Sequence, residues 1–512
     1  MAMEPNQKKQ FIFNNIFVLI YYIILIILAI LNIKILSGLI IWNDDICASL
    51  ANGIDVKNYL AYFISTPDHG FYFSYFLNVL IAKLIPDLFN INIQDFSISY
   101  GSVIRSILLT LIPLCLSHFL FIKLKKNNIL FPISLIICYL LTWYTIFSWN
   151  YSITGLTCFF RLFFPIVPFT LFLLLWQKKI VYNNKLNTSD LIILSLISFI
   201  LPITSEITLA MGTILVFIFT FIDVLRNKKK YNKINNHKLY YPLFSNIIGL
   251  VILLNTKMFW ANFFIKENVG SLKEIKLINF SEIYSCLGYL IKDVLLPNYL
   301  FIALTIISIL LLSFFKTPHD LKKRAAAFSI SITIALFTHF ILLFKETPPG
   351  YPTKYFISHP DFKPLFMLVF ILISFIPISI ILKRIQLKRQ SFITSIILTI
   401  LTIYAFNQID FKSKIAEIEN LIRIKKISFY LRDKAFFTQY NNQNGPKPIL
   451  ISFLGEPQHV MTYYFKRIYN IDIAPSEIKD MSEQEKTKFQ KEIDTERGKN
   501  YNQKLEFKKL KY

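Results

Sequence analysis

Glycine is scarce in this chain, with 13 in 512 residues, and acids are outnumbered, with 31 Asp and Glu against 55 Lys and Arg. Few glycines, no internal repeat and apolar runs nearly free of charge at their centres argue against a secondary transporter. Such proteins pair Gly- or Pro-broken helices in corresponding halves around midplane charges. The five cysteines are scattered, with Cys115, Cys138 and Cys286 in or near apolar runs and no CxxC or other paired spacing. That excludes a disulfide framework and a cysteine zinc site; Cys47 and Cys158, both expected on the outer face, are the pair left for a bridge. The shortage of acid leaves a net charge of +24. In a soluble chain this would point to nucleic acid. Here most Lys and Arg sit in short clusters between apolar runs, the pattern of topology signals, so membrane lipids are the expected contact and nucleic acid is not.

What is abundant is apolar surface: 54% of residues are hydrophobic, including 50 Phe and 27 Tyr. Several separate runs reach the roughly 20 residues needed to cross a hydrocarbon core of roughly 30 Å. They are continuous and not alternating, which excludes a closed β-barrel. The expected fold is an all-α polytopic membrane protein. The first run, 11–41, is longer than the core of a signal peptide and lacks a small-residue cleavage site, so it is expected to remain as the first span.

Basic clusters orient the runs. They occur at Lys8-Lys9, 123–128, 177–185, 226–238, 316–324 and 383–389. If each lies inside, two crossings must separate successive clusters. Between the first two clusters there are three apolar runs, 11–41, 71–89 and 101–122. The run 71–89, interrupted by Ser74, Asn78, Lys83 and Pro86, is the weakest and is expected to lie in the outer interface. The first external loop then spans 42–100, with a helix near 55–65, the turn "TPDHG" at 66–70 and that interfacial helix. Loops of this length in compact proteins are functional or carry structure of their own. Further crossings are expected near 129–147, 162–176, 190–204, 207–225, 240–257, 297–315, 325–344, 364–382 and 391–406. The total is about eleven, with the N-terminus cytoplasmic. Residues 1–406 thus form the transmembrane domain, its outer loops including 148–161, a tight "PITSE" turn at 202–206, 258–296 and 345–364.

From Asn407 the chain changes character, with 20 Lys and Arg against 14 Asp and Glu. A charged helical stretch over 412–440, the turn "NNQNGPKP" and a strand-like "ILISFLG" predict a small extracytoplasmic α+β domain over 407–512, ending in a polar tail.

The stretch "IWNDDICASLANG" at 41–53 places Asp44 and Asp45 where the first apolar run stops. An acid at the outer end of a span can simply mark the exit, since a carboxylate is costly within the bilayer. Two adjacent acids opening a long amphipathic loop also fit a general base at the membrane boundary, where partial desolvation raises a carboxylate's pKa. Arg105, Arg161 and Lys354 stand at outer span boundaries, where they suit an anionic phosphate; Arg161 equally suits an interfacial anchor. Asp68 and His69 of "TPDHG" are candidates for acceptor contact or an ordinary polar turn. Glu206 begins a span behind a very short turn and is either cavity-facing or a helix-start residue complementing the macrodipole. The Pro- and aromatic-rich "PPGYPTKYFISHPDF" brings Tyr351, Tyr355 and His359 beside Lys354 as a rigid substrate-facing segment or a stiffened connection. No ligand spacing requires a cofactor; Asp45 and Glu206 are the residues open to a divalent cation, Mg or Mn.

A first span followed at once by an acidic pair, then two interfacial helices, then Arg105 in "SYGSVIRSILL" before the next true span, resembles the GT-C superfamily of membrane glycosyltransferases. The broad layout covers the whole chain, including the soluble domain after the last span, while the motifs are short. The resemblance implies transfer of a sugar from a polyprenyl-phosphate carrier to an acceptor on the outer side, a glycan, lipid or protein. It also implies a first-loop Asp as base, and most such enzymes invert the anomeric centre. The chemistry suits the residues: Asp44 or Asp45 to deprotonate the acceptor hydroxyl, cations for the leaving phosphate, and Phe-rich walls such as "CFFRLFFP" for the prenyl tail. Asp44, nearer the span that would fix its direction, is favoured over Asp45, since adjacent helical residues point about 100° apart. Besides the transporter, the competing readings are an O-antigen polymerase or ligase, which uses a late loop such as 345–364, and a scaffold or receptor acting through its C-terminal domain. The Asn-, Lys-, Ile- and Phe-rich composition suggests a low-GC bacterial source, with the inner, cytoplasmic membrane as the location.

Overall fold

The computed structural model describes residues 164–184, 186–204, 206–231, 240–255 and 319–346 continuously, two short strands near the C-terminus, and scattered positions elsewhere. Its helices are α1 (Ile166–Ile180), α2 (Thr188–Thr204), α3 (Glu206–Tyr231), α4 (Tyr241–Leu254) and α5 (His319–Glu346). They overlap the apolar runs expected near 162–176, 190–204, 207–225, 240–257 and 325–344, but their ends differ. α1 starts behind Pro165 and carries on through Lys178 and Lys179, α3 runs past Arg226, and α5 begins before its apolar stretch, at His319.

The α1–α2 connection is fixed locally. Asn183 takes a left-handed φ of 54°, a region Asn enters through its short polar side chain. The chain turns there, and the Asn184 amide donates back to the Lys178 carbonyl at 3.2 Å. α2 then opens on a reciprocal cap. The Asp190 amide donates to Asn187 Oδ1 at 2.6 Å, and the Asn187 amide donates to Asp190 Oδ2 at 3.4 Å. This is a capping box built from Asn and Asp; an N-cap of this kind contributes about 1 kcal/mol.

Pro202 lies inside α2. A proline there has no N–H to give the carbonyl four residues back, which is that of Ser198. The Asn246 side chain supplies the missing donor from α4, its Nδ2 donating to the Ser198 carbonyl at 2.9 Å. Proline is tolerated in an apolar helix when a neighbouring helix satisfies the freed carbonyl in this way. The helix therefore continues to Thr204, and the expected turn at 202–206 shrinks to the single residue between α2 and α3. Across that junction Thr208 Oγ1 donates to the Leu201 carbonyl at 2.9 Å, satisfying an acceptor near the end of α2.

α4 runs alongside α2 in the same direction, and glycine sets how close they come. A Cβ added to Gly249 would stand 2.4 Å from the Phe199 carbonyl oxygen and 3.3 Å from Pro202 Cγ. α3 approaches α2 through Gly212, where a Cβ would meet Leu201 Cδ1 at 2.9 Å. Small residues at helix contacts are the usual means of close packing in apolar surroundings.

An aromatic column joins α1, α3 and α5. Phe172 and Trp176 flank Phe219 at centroid distances of 6.3 and 5.4 Å, and Phe219 stacks on Phe328 at 5.0 Å with an interplanar angle of 6°. All four rings are fully buried. The outer faces are apolar as well. α4 buries Asn246 and Gly249 while exposing Phe244 (60%), Ile248 (55%) and Val251 (50%). Ile192 and Leu196 on α2 and Phe221 on α3 are likewise exposed. This is inside-out relative to a helix facing water, which hides its apolar stripe and exposes its amides.

In the C-terminal region, β1 (Leu450–Ser452) lies in the expected strand-like segment and pairs in parallel with β2 (Ile478–Asp480), Leu450 opposite Ile478. Parallel strands need a crossover between them.

Candidate functional site

Charge sorts to one end of the helical bundle. Lys178 and Lys179 near the C-terminus of α1 pair with Asp190 at the start of α2 and Asp223 on α3. Lys179 also lies 5.2 Å from the Trp176 ring centroid. Arg226 Nη1 donates to the Ile180 carbonyl at 2.8 Å, bridging α3 to the end of α1, and Arg324 of α5 lies within Coulombic reach of Arg226. Thus parts of the basic clusters at 177–185, 226–238 and 316–324 share one end. The ion pairs are largely buried, with side-chain exposures of 20% and 15% in the first and 13% and 11% in the second. A pair at that depth costs desolvation and is strongly coupled, so removing either partner strands the other.

The opposite end carries the α2–α3 junction. Glu206 opens α3 there, as expected from the short turn before it. A carboxylate at the first residue of a long helix complements the positive end of the macrodipole. From Glu206 to Arg226, at 1.5 Å per residue, the axis of α3 rises about 30 Å.

The other site candidates lie outside the described residues: Asp44, Asp45, Asp68, His69, Arg105, Arg161, Tyr351, Lys354, Tyr355 and His359, together with Cys47, Cys158 and the side chain of Glu206. Near Arg105, the positions Val103, Ile104, Ile107, Leu108 and Leu111 are helical. Among the described residues no three His, Cys, Asp or Glu side chains are grouped to hold a metal; Asp45 and the Glu206 carboxylate are not among them.

The structure adds polar residues that sequence reasoning had not singled out. Asp190 and Asp223 are partners of Lys178 and Lys179, and Asn246, Ser198 and Pro202 form one hydrogen-bonded unit across α2 and α4. A signal existed for the second group: a proline within an apolar run leaves a stranded carbonyl, and Asn246 is the sole amide side chain in the α4 segment. These groups hold helices together and are not arranged for chemistry. Compared with known proteins, the chain matches no family model and no curated protein.

Proposed function

We propose that the chain is a multi-pass membrane glycosyltransferase of the GT-C type. It would move a sugar from a polyprenyl-phosphate carrier to an extracytoplasmic acceptor. The observation that carries this reading is the pair Asp44-Asp45 directly behind the first apolar run, followed by a long amphipathic loop and by Arg105 before the next span.

The described helices support the membrane part. Thr208–Arg226 is long and apolar enough to cross a bilayer, and the distance from Glu206 to Arg226 equals the roughly 30 Å of a hydrocarbon core. Basic residues from three helices gather at one end, as topology signals do. Apolar side chains on the outside of α4 and α2 suit lipid, and the amide of Asn246 is turned inward. In this reading the charged end of the bundle faces the cytoplasm, and the end bearing Glu206 faces the outer compartment, where the first loop also lies.

The chemistry follows from the residues proposed. One carboxylate of the pair takes the proton from the acceptor hydroxyl as its oxygen bonds to the anomeric carbon. The bond from that carbon to the carrier's phosphate oxygen breaks, and the polyprenyl phosphate leaves as an anion. Arg105, Arg161 and Lys354 are assigned to that negative charge, and attack opposite the leaving group inverts the anomeric centre. General-base catalysis contributes about 10²–10⁴-fold.

The test is transfer from polyprenyl-phosphate sugars in proteoliposomes containing wild type, Asp44→Asn or Asp45→Asn. A loss of about 10²-fold or more is expected for the residue acting as base. Full activity in both variants overturns the assignment.

A further inference from the structure

Three contacts fix the register of α1 against α3. Phe219 lies between Phe172 and Trp176, Lys179 pairs with Asp223, and Arg226 Nη1 donates to the Ile180 carbonyl. The contacts advance together along both helices, so the two run in the same direction. Each sets a residue of α1 level with one about 45 positions later in the chain, on α3. At about 1.5 Å per residue, that register puts Pro165, the N-cap of α1, level with about Ala210. α3 itself starts at Glu206, about 6 Å farther out. Ala210 lies inside the apolar stretch Thr208–Arg226, so in the membrane reading above α1 starts beneath the outer boundary that α3 reaches.

The local chemistry of that end agrees. A helix start leaves its first amides without carbonyl partners inside the helix. α2 meets this with the Asn187–Asp190 box, while α3 opens on Glu206 and α5 on His319 and Asp320. α1 has no side-chain cap and no acid in its first turn. Its amides are satisfied or removed by other means. Val167 donates to the Phe164 carbonyl at 3.0 Å and Phe169 to the Pro165 carbonyl at 3.3 Å. Positions 165 and 168 are proline, which has no amide to satisfy. Ile166 is the one amide of this turn that those bonds and prolines leave over. Pro165 and Ile166 are buried, and the first polar side chain of α1 is Thr170. Free backbone donors are what hydrocarbon does not tolerate; a helix start nearly stripped of them, and without charge, suits it.

We propose that α1 begins within the hydrocarbon depth of the outer leaflet, so that the chain dips below the headgroups to enter it. The residues joined to that start, "CFFRLFF" at 158–164, carry one charge, Arg161, and otherwise suit acyl chains as their partner. The outer loop expected at 148–161 would then end beneath the surface and not at it. This inference rests on the membrane part of the proposed function and is independent of its chemistry.

The test is the sign of a charge effect at Val167, a half-buried residue in the first turn of α1. Near a helix N-terminus in water a carboxylate is favourable, whereas in hydrocarbon it is costly. Val167→Asp and Val167→Asn differ in charge at nearly the same size, so the lost valine packing is common to both. In bicelles at neutral pH, the folding equilibrium constant of full-length Val167→Asp is expected to lie about tenfold or more below that of Val167→Asn. An equal or higher constant for Val167→Asp overturns the proposal. If neither variant folds, bimane attached to Phe164→Cys and to Ser205→Cys decides. A blue-shifted emission with little quenching by aqueous iodide is expected at 164, and quenching equal to that at 205 overturns the proposal. Failure of the wild type to enter bicelles would overturn the membrane reading and this inference with it. An embedded protein that transfers no sugar would sink the chemistry alone.

Discussion

The Asn246–Ser198 contact makes a prediction that a double-mutant cycle can decide. Asn246→Ala removes the Nδ2 donor, leaving the Ser198 carbonyl facing apolar side chains with no helical N–H, because Pro202 occupies the position that would supply one. A stranded buried acceptor costs about 1–3 kcal/mol, whereas interhelical hydrogen bonds in membrane proteins average about 0.6 kcal/mol by direct cycles. The Oδ1 of Asn246 is itself buried with no partner among the described residues, so its removal recovers part of the loss. A coupling of about 1 kcal/mol is the expected balance. Pro202→Ala restores an N–H to α2, and that N–H can bond to the Ser198 carbonyl. In the Pro202→Ala background, Asn246→Ala should therefore cost about 1 kcal/mol less than in wild type, since any cavity left by the shortened side chain is common to both backgrounds and cancels. Equilibrium unfolding in mixed detergent micelles gives the four free energies. An equal cost in both backgrounds refutes the account, because Asn246 would then be acting through packing and not through the carbonyl that proline frees.

Three further expectations concern the same bundle. Gly249→Ala should destabilise by about 1–3 kcal/mol, through overpacking against a backbone oxygen that cannot move aside; Gly212→Ala should cost less, since the Leu201 side chain can yield, and thermal unfolding of the two variants ranks them. Asp223→Ala should cost about 3 kcal/mol by stranding Lys179, and Lys179→Met combined with Asp223→Leu should recover most of it; failure of the double variant to recover stability would show that the pair is not the source. In right-side-out membrane vesicles, Ser205→Cys and Leu80→Cys should react with an impermeant maleimide, while Asn184→Cys and Lys323→Cys should react only after permeabilisation; labelling of Ser205→Cys and Lys323→Cys from one side would overturn a spanning α3 and α5.

For the five described helices, apolar runs in the sequence overlap the helical segments, and they fall short at the ends for a physical reason. Hydropathy reports where lipid could surround a segment, whereas a helix persists as long as its backbone bonds are made. α5 begins at His319 because a polar, charged turn such as "HDLKKR" is still a good helix former, and α3 runs past Arg226 on the same logic. At Pro202 the expected crossing (190–204) and the expected turn (202–206) overlap, and the outcome there is decided by Asn246, on another helix and remote in sequence. Local rules read a proline as a stop, and only tertiary contact reveals that the freed carbonyl is satisfied.

The charges were more legible than the ends. Lys and Arg clusters separated by two apolar runs were expected to share a side, and Lys179, Arg226 and Arg324 meet at one end of the bundle. What sequence could not show is that part of this positive charge is internally balanced. Asp190 and Asp223 look like ordinary solvated acids near helix ends, yet each is a largely buried partner of a lysine. This changes the weight of the remaining cations: Lys178 is matched by Asp190, Lys179 by Asp223, and Arg226 is held on the Ile180 carbonyl with the Asp223 carboxylate acting on it, so much of the clusters' positive charge is engaged inside the bundle.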